Sequence, residues 1–119
     1  MLERALKAAI GSDHPDWRVG AVIAKGKRIL ASAANQPRTD PRLASFEHLP
    51  RCSRHAEMAA LARCANPRGA HIYVARVTLN DTPAMARPCQ RCLTALDAAG
   101  VRKVTYTTYA GVADERIAC

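Results

Sequence analysis

Two short motifs, each at the predicted start of a helix, constrain the fold of this chain more than any other feature. They are His55-Ala56-Glu57 and Pro88-Cys89-Gln90-Arg91-Cys92. Ser53 is the predicted N-cap of the first helix, and apolar residues then follow at helical spacing: Met58, Leu61, Ala62 and Ala65. Pro88 is the predicted first residue of the second helix, where its missing N–H costs nothing. We therefore expect a fold in which two helix starts converge.

The side chains of these motifs are those that bind Zn²⁺. Cys89 and Cys92 are three residues apart, so both thiols share one face of a first helical turn. The partial positive charge of a helix start favours their ionised, metal-binding form. With an imidazole from His55 they make three ligands, which leaves the open fourth position of a catalytic zinc site. Glu57 is then not a ligand, and we expect it to transfer protons at the open position.

The pattern HAE, followed at a distance by PCQRC, resembles the zinc-dependent cytidine and deoxycytidylate deaminase superfamily. The resemblance runs from the predicted strand around Gly20 to the predicted strand around Val104. It implies a cytidine-deaminase-like fold and Zn²⁺ as the cofactor, with His55, Cys89 and Cys92 as ligands. It also implies hydrolytic removal of ammonia from a cytosine ring, and assembly as a homo-oligomer.

Substrate contacts are predicted on both sides of the first motif. Asn35 ends the second predicted strand, where the resemblance assigns it a sugar hydroxyl; an ordinary turn asparagine is the alternative. Residues 38–50 form a long loop for so small a domain, and such loops are often functional. Within it Phe46 is a candidate to stack on the base and His48 to hydrogen-bond base or phosphate, with packing or solvent exposure as the alternatives. Ala56 is assigned to substrate binding as well.

Two alternatives to a catalytic zinc site of the cytidine deaminase type are a closed structural zinc site and a tRNA deaminase site. A closed structural zinc site would use Cys52 or Cys64 as a fourth ligand, but it leaves Glu57 without a role. The chain also departs from one branch of the superfamily, since tRNA adenosine deaminases usually carry Glu before Pro-Cys where this chain has Arg87. That difference makes a tRNA substrate the weaker prediction.

Charge and aromatic content bear on the size of the substrate. The formal net charge of +8 favours an anionic partner, although solvated surface charge explains it equally well. Aromatic residues make up only 4% of the chain, whereas proteins that hold single strands usually stack bases on several of them. A free nucleoside or nucleotide is therefore the preferred substrate. A single-stranded nucleic acid substrate, and a non-catalytic zinc module that binds nucleic acid, are the alternatives.

The remaining segments predict one α/β domain, residues 1–119, with a mixed sheet of about five strands. Strands are expected at 18–25, 28–35, 70–79 and 101–108. Residues 112–119 either return as a short fifth strand in a hairpin, which so short a segment favours over another crossover, or trail off without pairing. Helices are expected at 2–10, after Ser53 and at 88–99, and the last of these joins two parallel strands. Because the strands carry apolar residues on both faces, helices should cover both, in three α/β/α layers.

The first two strands are expected to form a hairpin around Gly26 and Lys27. Strict alternation places six apolar residues on one face, namely Val19, Ala21, Ile23, Ile29, Ala31 and Ala33. It places Val22 and Leu30 on the other.

Cysteine usage predicts a cytoplasmic protein. The chain has five Cys, an odd number, and two are assigned to zinc. No secretory segment or membrane span is recognisable, so no membrane partner is expected.

Overall fold

The computed structural model describes residues 2–11, 18–34, 36–39, 53–54, 56–78 and 82–117. The helices are α1 (Leu2–Ile10), α2 (Ala56–Arg63) and α3 (Gln90–Ala98). The strands are β1 (Arg18–Lys25), β2 (Arg28–Ala34), β3 (Gln36–Thr39), β4 (Ser53–Arg54), β5 (His71–Val77), β6 (Pro83–Ala84), β7 (Lys103–Thr107) and β8 (Val112–Arg116). None of the described helices is long and apolar enough to cross a bilayer.

A mixed sheet in the order β2-β1-β5-β7-β8 forms the middle layer, and β6 pairs with one end of β5. The parallel pair is β5 and β7, joined through α3 as predicted, while β8 returns antiparallel to β7. The predicted hairpin return is therefore confirmed. β3 and β4 form a second, two-stranded sheet, so Arg38 and Thr39 belong to a strand rather than to the predicted loop.

Helices cover both faces of the main sheet, which confirms the three-layer α/β/α prediction. On one face α2 and α3 bury Ala60 and Leu96 against the strands. On the opposite face α1 buries Ala5 against Val22 and Ala75. Both motif helices therefore share one side of the sheet.

α1 approaches β1 so closely that Gly20 has no space for a side chain. A Cβ atom there would lie 2.2 Å from the Ala5 carbonyl oxygen and 2.5 Å from the Ala9 amide nitrogen. Ala5 and Ala9 are themselves fully buried. Small residues on both elements thus set the distance between the α1 layer and the sheet.

The β1–β2 hairpin forms as predicted, but a bulge changes which residues face α1. The register shifts after Ile23, so that Ala24 lies opposite Ile29. Ile29 consequently packs in the cluster beneath α1, and Leu30 packs on the side of the motif helices. The predicted faces of Ile29 and Leu30 are wrong because the extra residue of a bulge breaks strict alternation.

Both motif helices begin later than the sequence suggested. α2 begins at Ala56, and Ser53 pairs in β4 instead of capping the helix. α3 begins at Gln90 with Cys89 as its N-cap in an extended conformation, so Pro88 precedes the helix rather than opening it. The first turn of α3 nevertheless still includes Cys92.

The buried stripe of α2 also differs from the prediction. Its buried apolar residues are Ala56, Ala59 and Ala60, whereas Ala62 and Ala65 are exposed. Alanine occurs on several sides of this helix, so the apolar pattern did not define a unique face.

A polar cluster lies between β5, β7 and β8. The His71 Nε2 atom lies 2.6 Å from the Thr105 hydroxyl, which donates to the Asp114 carboxylate. The His71 ring stacks on Tyr73, with 4.1 Å between ring centroids. Burial, and then the charge of Lys103, lower the pKa of His71 below its ordinary value of 6.5, while Asp114 opposes the shift.

We expect this histidine to make the fold acid-sensitive. Because its folded pKa is lowered, the native state holds fewer protons on His71 than the unfolded chain does, so stability falls as pH drops below about 6.5. Urea unfolding of wild type and His71→Asn between neutral and mildly acidic pH measures this. The free energy of unfolding of the variant should depend less on pH than that of wild type. An equal pH dependence in the two proteins would show that His71 is not the source of the acid sensitivity.

Candidate active site

The N-terminal ends of α2 and α3 bring two of the predicted functional groups together. Glu57 lies in the first turn of α2 with 6% of its surface exposed. Cys92 lies in the first turn of α3 and is fully buried. Both helix starts place partial positive charge beside groups that ionise to anions.

The Cys92 thiol is at the centre of this arrangement. It lies in hydrogen-bonding reach of the Cys89 side chain and of the Glu57 carboxylate. The contact with Cys89, burial and the Glu57 charge all raise the pKa of the Cys92 thiol above its usual range. None of the described cysteines forms a disulfide.

The site lies at the boundary between core and solvent. Cys92 and Pro88 are fully buried, whereas Cys89 at the helix N-cap is exposed. Ala56, beside Glu57, is fully buried at the start of α2. The Cys89 side of the group therefore faces solvent.

The remaining predicted site residues, namely Asn35, Phe46, His48 and His55, lie outside the described residues. Within the described part of the chain, no group of three or more His, Cys, Asp or Glu side chains is placed to hold a metal ion. The assignments of His55 as the third ligand and of Asn35, Phe46 and His48 as substrate contacts stay predictions.

The chemistry of the two cysteines fits Zn²⁺. The contact with Cys89, burial and the nearby Glu57 charge all disfavour the thiolate form of Cys92 and raise its pKa. A bound divalent cation reverses this, because a coordinating thiol is deprotonated outright. Cys89 and Cys92 are thus suited to hold Zn²⁺ in the tetrahedral arrangement that sulfur and nitrogen ligands form.

Cys64, one of the alternatives for a fourth ligand, is at the other end of α2. It follows Arg63, the last residue of the helix, and lines a separate cleft with Lys25 and Arg28. At 1.5 Å per residue this is about 10 Å along the helix axis from Glu57. Cys64 therefore does not join Cys89 and Cys92, while Cys52 lies outside the described residues.

An ion pair that the sequence analysis missed anchors the residue before the second motif. The Arg87 Nε atom donates to Glu115 Oε2 at 2.7 Å, and the Tyr106 hydroxyl donates to the same oxygen at 2.8 Å. The hydrogen bonds from Arg87 and Tyr106 lower the pKa of Glu115. The sequence signal was a charged residue directly before Pro88, but its partner lies 28 positions away.

Backbone contacts hold the same segment against β7. The Ala86 amide donates to the Thr107 carbonyl at 2.9 Å, and the buried Thr107 hydroxyl donates to the Ala84 carbonyl at 2.7 Å. Together with the buried Pro88, these contacts position the chain immediately before Cys89.

We expect Glu115→Gln to weaken zinc binding roughly tenfold, the lower end of the effect of groups that orient metal ligands. The thermal midpoint should change little, because exposed ion pairs contribute little to stability. Competition of the protein with a chelator for zinc measures the affinity, with Glu3→Gln on α1 as the charge-matched control. Equal affinities for Glu115→Gln and the control would show that the ion pair does not position the cysteines.

Comparison with known proteins agrees with this architecture. The family model described as the cytidine and deoxycytidylate deaminase zinc-binding region matches residues 1–108. The chain therefore belongs to this zinc-binding deaminase family. The search of curated protein sequences found no match to this chain.

Solved structures that are similar to this one include two of a dCMP deaminase and one of a cytidine deaminase. The dCMP deaminase of cyanophage S-TIM5 in apo form is 26% identical, with a TM-score of 0.56 over 88% of this chain and 80% of that chain. The same enzyme in complex with dCMP and dUMP is 24% identical, with a TM-score of 0.58 over 88% and 76%. Cytidine deaminase of Mycobacterium leprae is 20% identical, with a TM-score of 0.60 over 98% and 90%, and shares the fold.

Proposed function

We propose that this chain is a zinc-dependent hydrolase that deaminates a free cytosine nucleoside or nucleotide to the uracil form and releases ammonia. The observation that carries the proposal is the buried Glu57 carboxylate in contact with the Cys92 thiol, beside an exposed Cys89. Glu is among the residues that are least often buried, so a buried Glu57 in contact with the Cys92 thiol is unusual for a side chain that serves only the fold. Family membership supports the same chemistry.

In this proposal His55, Cys89 and Cys92 hold Zn²⁺, which when bound supplies a nucleophile near neutral pH by lowering the pKa of water. Glu57 takes the proton of the attacking water and delivers it to ring nitrogen N3, which makes C4 more electrophilic. A bond from C4 to the water oxygen forms. Glu57 then takes the proton of the new C4 hydroxyl and delivers it to the amino nitrogen. The C4–N bond breaks as the C4 carbonyl forms, and ammonia leaves.

The proposal places the substrate between the motif helices and the segments around them. Asn35 would bind a sugar hydroxyl, Phe46 would stack on the base and His48 would bind base or phosphate. Ala56 is a further proposed substrate-binding residue. The positive charge of the chain supports a nucleotide over a nucleoside. So does the S-TIM5 enzyme, which was solved with dCMP and dUMP.

The proposal includes one domain over residues 1–119, a cytoplasmic location and a homo-oligomer. The family match over residues 1–108 supports the single domain. The odd cysteine count supports the location, and the resemblance to small deaminases supports the assembly.

The test is ammonia release by zinc-loaded protein from cytidine, deoxycytidine, their monophosphates and a cytosine-containing single strand. We expect turnover of at least one free substrate, and faster turnover of a monophosphate than of its nucleoside. Activity on the single strand alone would favour the polynucleotide alternative. Zinc-loaded protein that is inactive on every substrate would overturn the proposal.

A further inference from the structure

The outer edge of the sheet carries a basic surface that the proposed reaction does not use. β2 is the outermost strand on this side, and a cleft of about 450 Å³ lies on the side of it that faces α2. Lys25, Arg28 and Arg63 line this cleft. Its other lining includes Asn66 and Cys64, and no described Asp or Glu.

A second basic cleft adjoins the first on the side of β2 that faces α1. It has a volume of about 290 Å³ and is lined by Arg4, Lys7 and Ser32. Ile29 lines both clefts, so the two lie on either side of the same part of the edge strand. Again no described carboxylate lines it.

We call the five cations Arg4, Lys7, Lys25, Arg28 and Arg63 the β2 basic surface. Within the described part of the chain, none of these five cations forms a salt bridge. Arg63 instead donates to the Ser32 carbonyl at 2.9 Å, on strand β2 itself. Four of the five are exposed and Lys25 is half-buried, so their charge is available to a partner.

We propose that the β2 basic surface docks the phosphate backbone of a nucleic acid strand. Lys, Arg, Ser and Asn are the side chains that contact phosphates. Symmetric pairing of β2 with β2 of a second copy is disfavoured because it would bring the same five charges against these, and charged edges oppose strand pairing. A protein partner would need an apolar core in the interface. Ile29 and Leu30 form too small an apolar patch to provide one.

The surface is separate from the candidate active site. Arg63 is in the last turn of α2, whereas Glu57 is in its first turn. The clefts contain no aromatic side chain among their lining residues, so contact is expected with phosphates and not with bases. Binding should therefore be independent of sequence and should not require cytosine.

The test uses a fluorescein-labelled oligothymidylate, which offers no cytosine, and measures anisotropy over a range of NaCl concentrations. The variant is Lys25→Gln/Arg28→Gln/Arg63→Gln. The matched control is Arg102→Gln/Lys103→Gln/Arg116→Gln, whose positions lie on β7, on β8 and directly before β7, at the opposite edge of the sheet. Both proteins lose three charges from the net charge of +8.

We expect the β2 variant to bind the oligonucleotide roughly tenfold more weakly than wild type. The slope of log K against log salt concentration should be smaller in magnitude by about 2, because each lost contact with a single-strand phosphate reduces that slope by about 0.7. The control should bind like wild type. If the triple variant does not fold, Lys25→Gln/Arg28→Gln, which keeps the Arg63 bond to Ser32, should lower the slope by about 1.4.

Three results would overturn the proposal. They are wild-type protein that does not bind the oligonucleotide, equal weakening in variant and control, and full displacement of the strand by inorganic phosphate at the same phosphate concentration. None of these results depends on deaminase activity. The experiment therefore tests the docking surface independently of the proposed function.

Discussion

Glu57→Gln is expected to reduce turnover by about 10²–10⁴-fold, the usual contribution of a positioned general acid and base. The amide has the size of the carboxylate but cannot accept the proton of water or pass one to the substrate. Zinc content should stay at the wild-type level, since Glu57 is not a proposed ligand. The thermal midpoint should not fall, because the substitution removes a negative charge from beside the Cys92 thiol.

Ammonia release, zinc content and thermal unfolding measured on one preparation separate these effects. Glu3→Gln, an exposed substitution on α1, serves as the control and should behave as wild type. Near-normal turnover in Glu57→Gln would remove Glu57 from the reaction. Loss of zinc together with activity would instead make Glu57 part of the metal site.

Cys92→Ala is expected to abolish both zinc binding and turnover, and to make stability insensitive to zinc. A metal that binds only the folded protein stabilises it by about 2.7–4.1 kcal/mol at 100–1,000 times its dissociation constant. The variant should forfeit this contribution, because the buried Cys92 thiol is one of the proposed ligands and would join α3 to the ion. With metal removed, wild type and variant should unfold at similar temperatures, since Ala is a small change at this position.

Thermal unfolding with added zinc and with a chelator measures this contribution. Cys64→Ala is the matched control, because Cys64 lies at the opposite end of α2 and should retain zinc-dependent stability. An increase in the melting temperature of Cys92→Ala with zinc equal to that of wild type would contradict the ligand assignment.

The layers of the fold were predictable because the burial pattern is simple. Strand β5 is apolar at nearly every position, as expected for a strand covered on both faces. Its buried positions include Ile72, Val74 and Ala75, which divide between the two core clusters. The parallel pairing of β5 with β7 then followed from the helical crossover through α3 that connects them.

Local irregularities were not predictable from the pattern. The bulge at Ile23 depends on pairing across the hairpin, and it exchanged the faces of Ile29 and Leu30. The short β3–β4 sheet rests on a pairing between segments far apart in the sequence, which periodicity within either segment does not encode.

The sequence predicted the spacing of the two cysteines in the site, but not the contacts that hold the segment before them. Cys89 and Cys92 lie at one helix start because their separation matches a helical turn. The ion pair of Arg87 with Glu115 joins residues far apart in the chain, and it forms only because β8 returns beside β7. Contacts of that kind depend on tertiary structure and are not visible in a motif.

The most direct test of hydrolytic deamination is the mass of the pyrimidine product formed in oxygen-18 water by zinc-loaded protein, with cytidine, deoxycytidine and their monophosphates as substrates. We predict a uracil-form product that carries oxygen-18 at the former amino carbon, formed together with an equal amount of ammonia. Recovery of only unchanged cytosine compounds, or a product without the heavy oxygen, would contradict the proposed function.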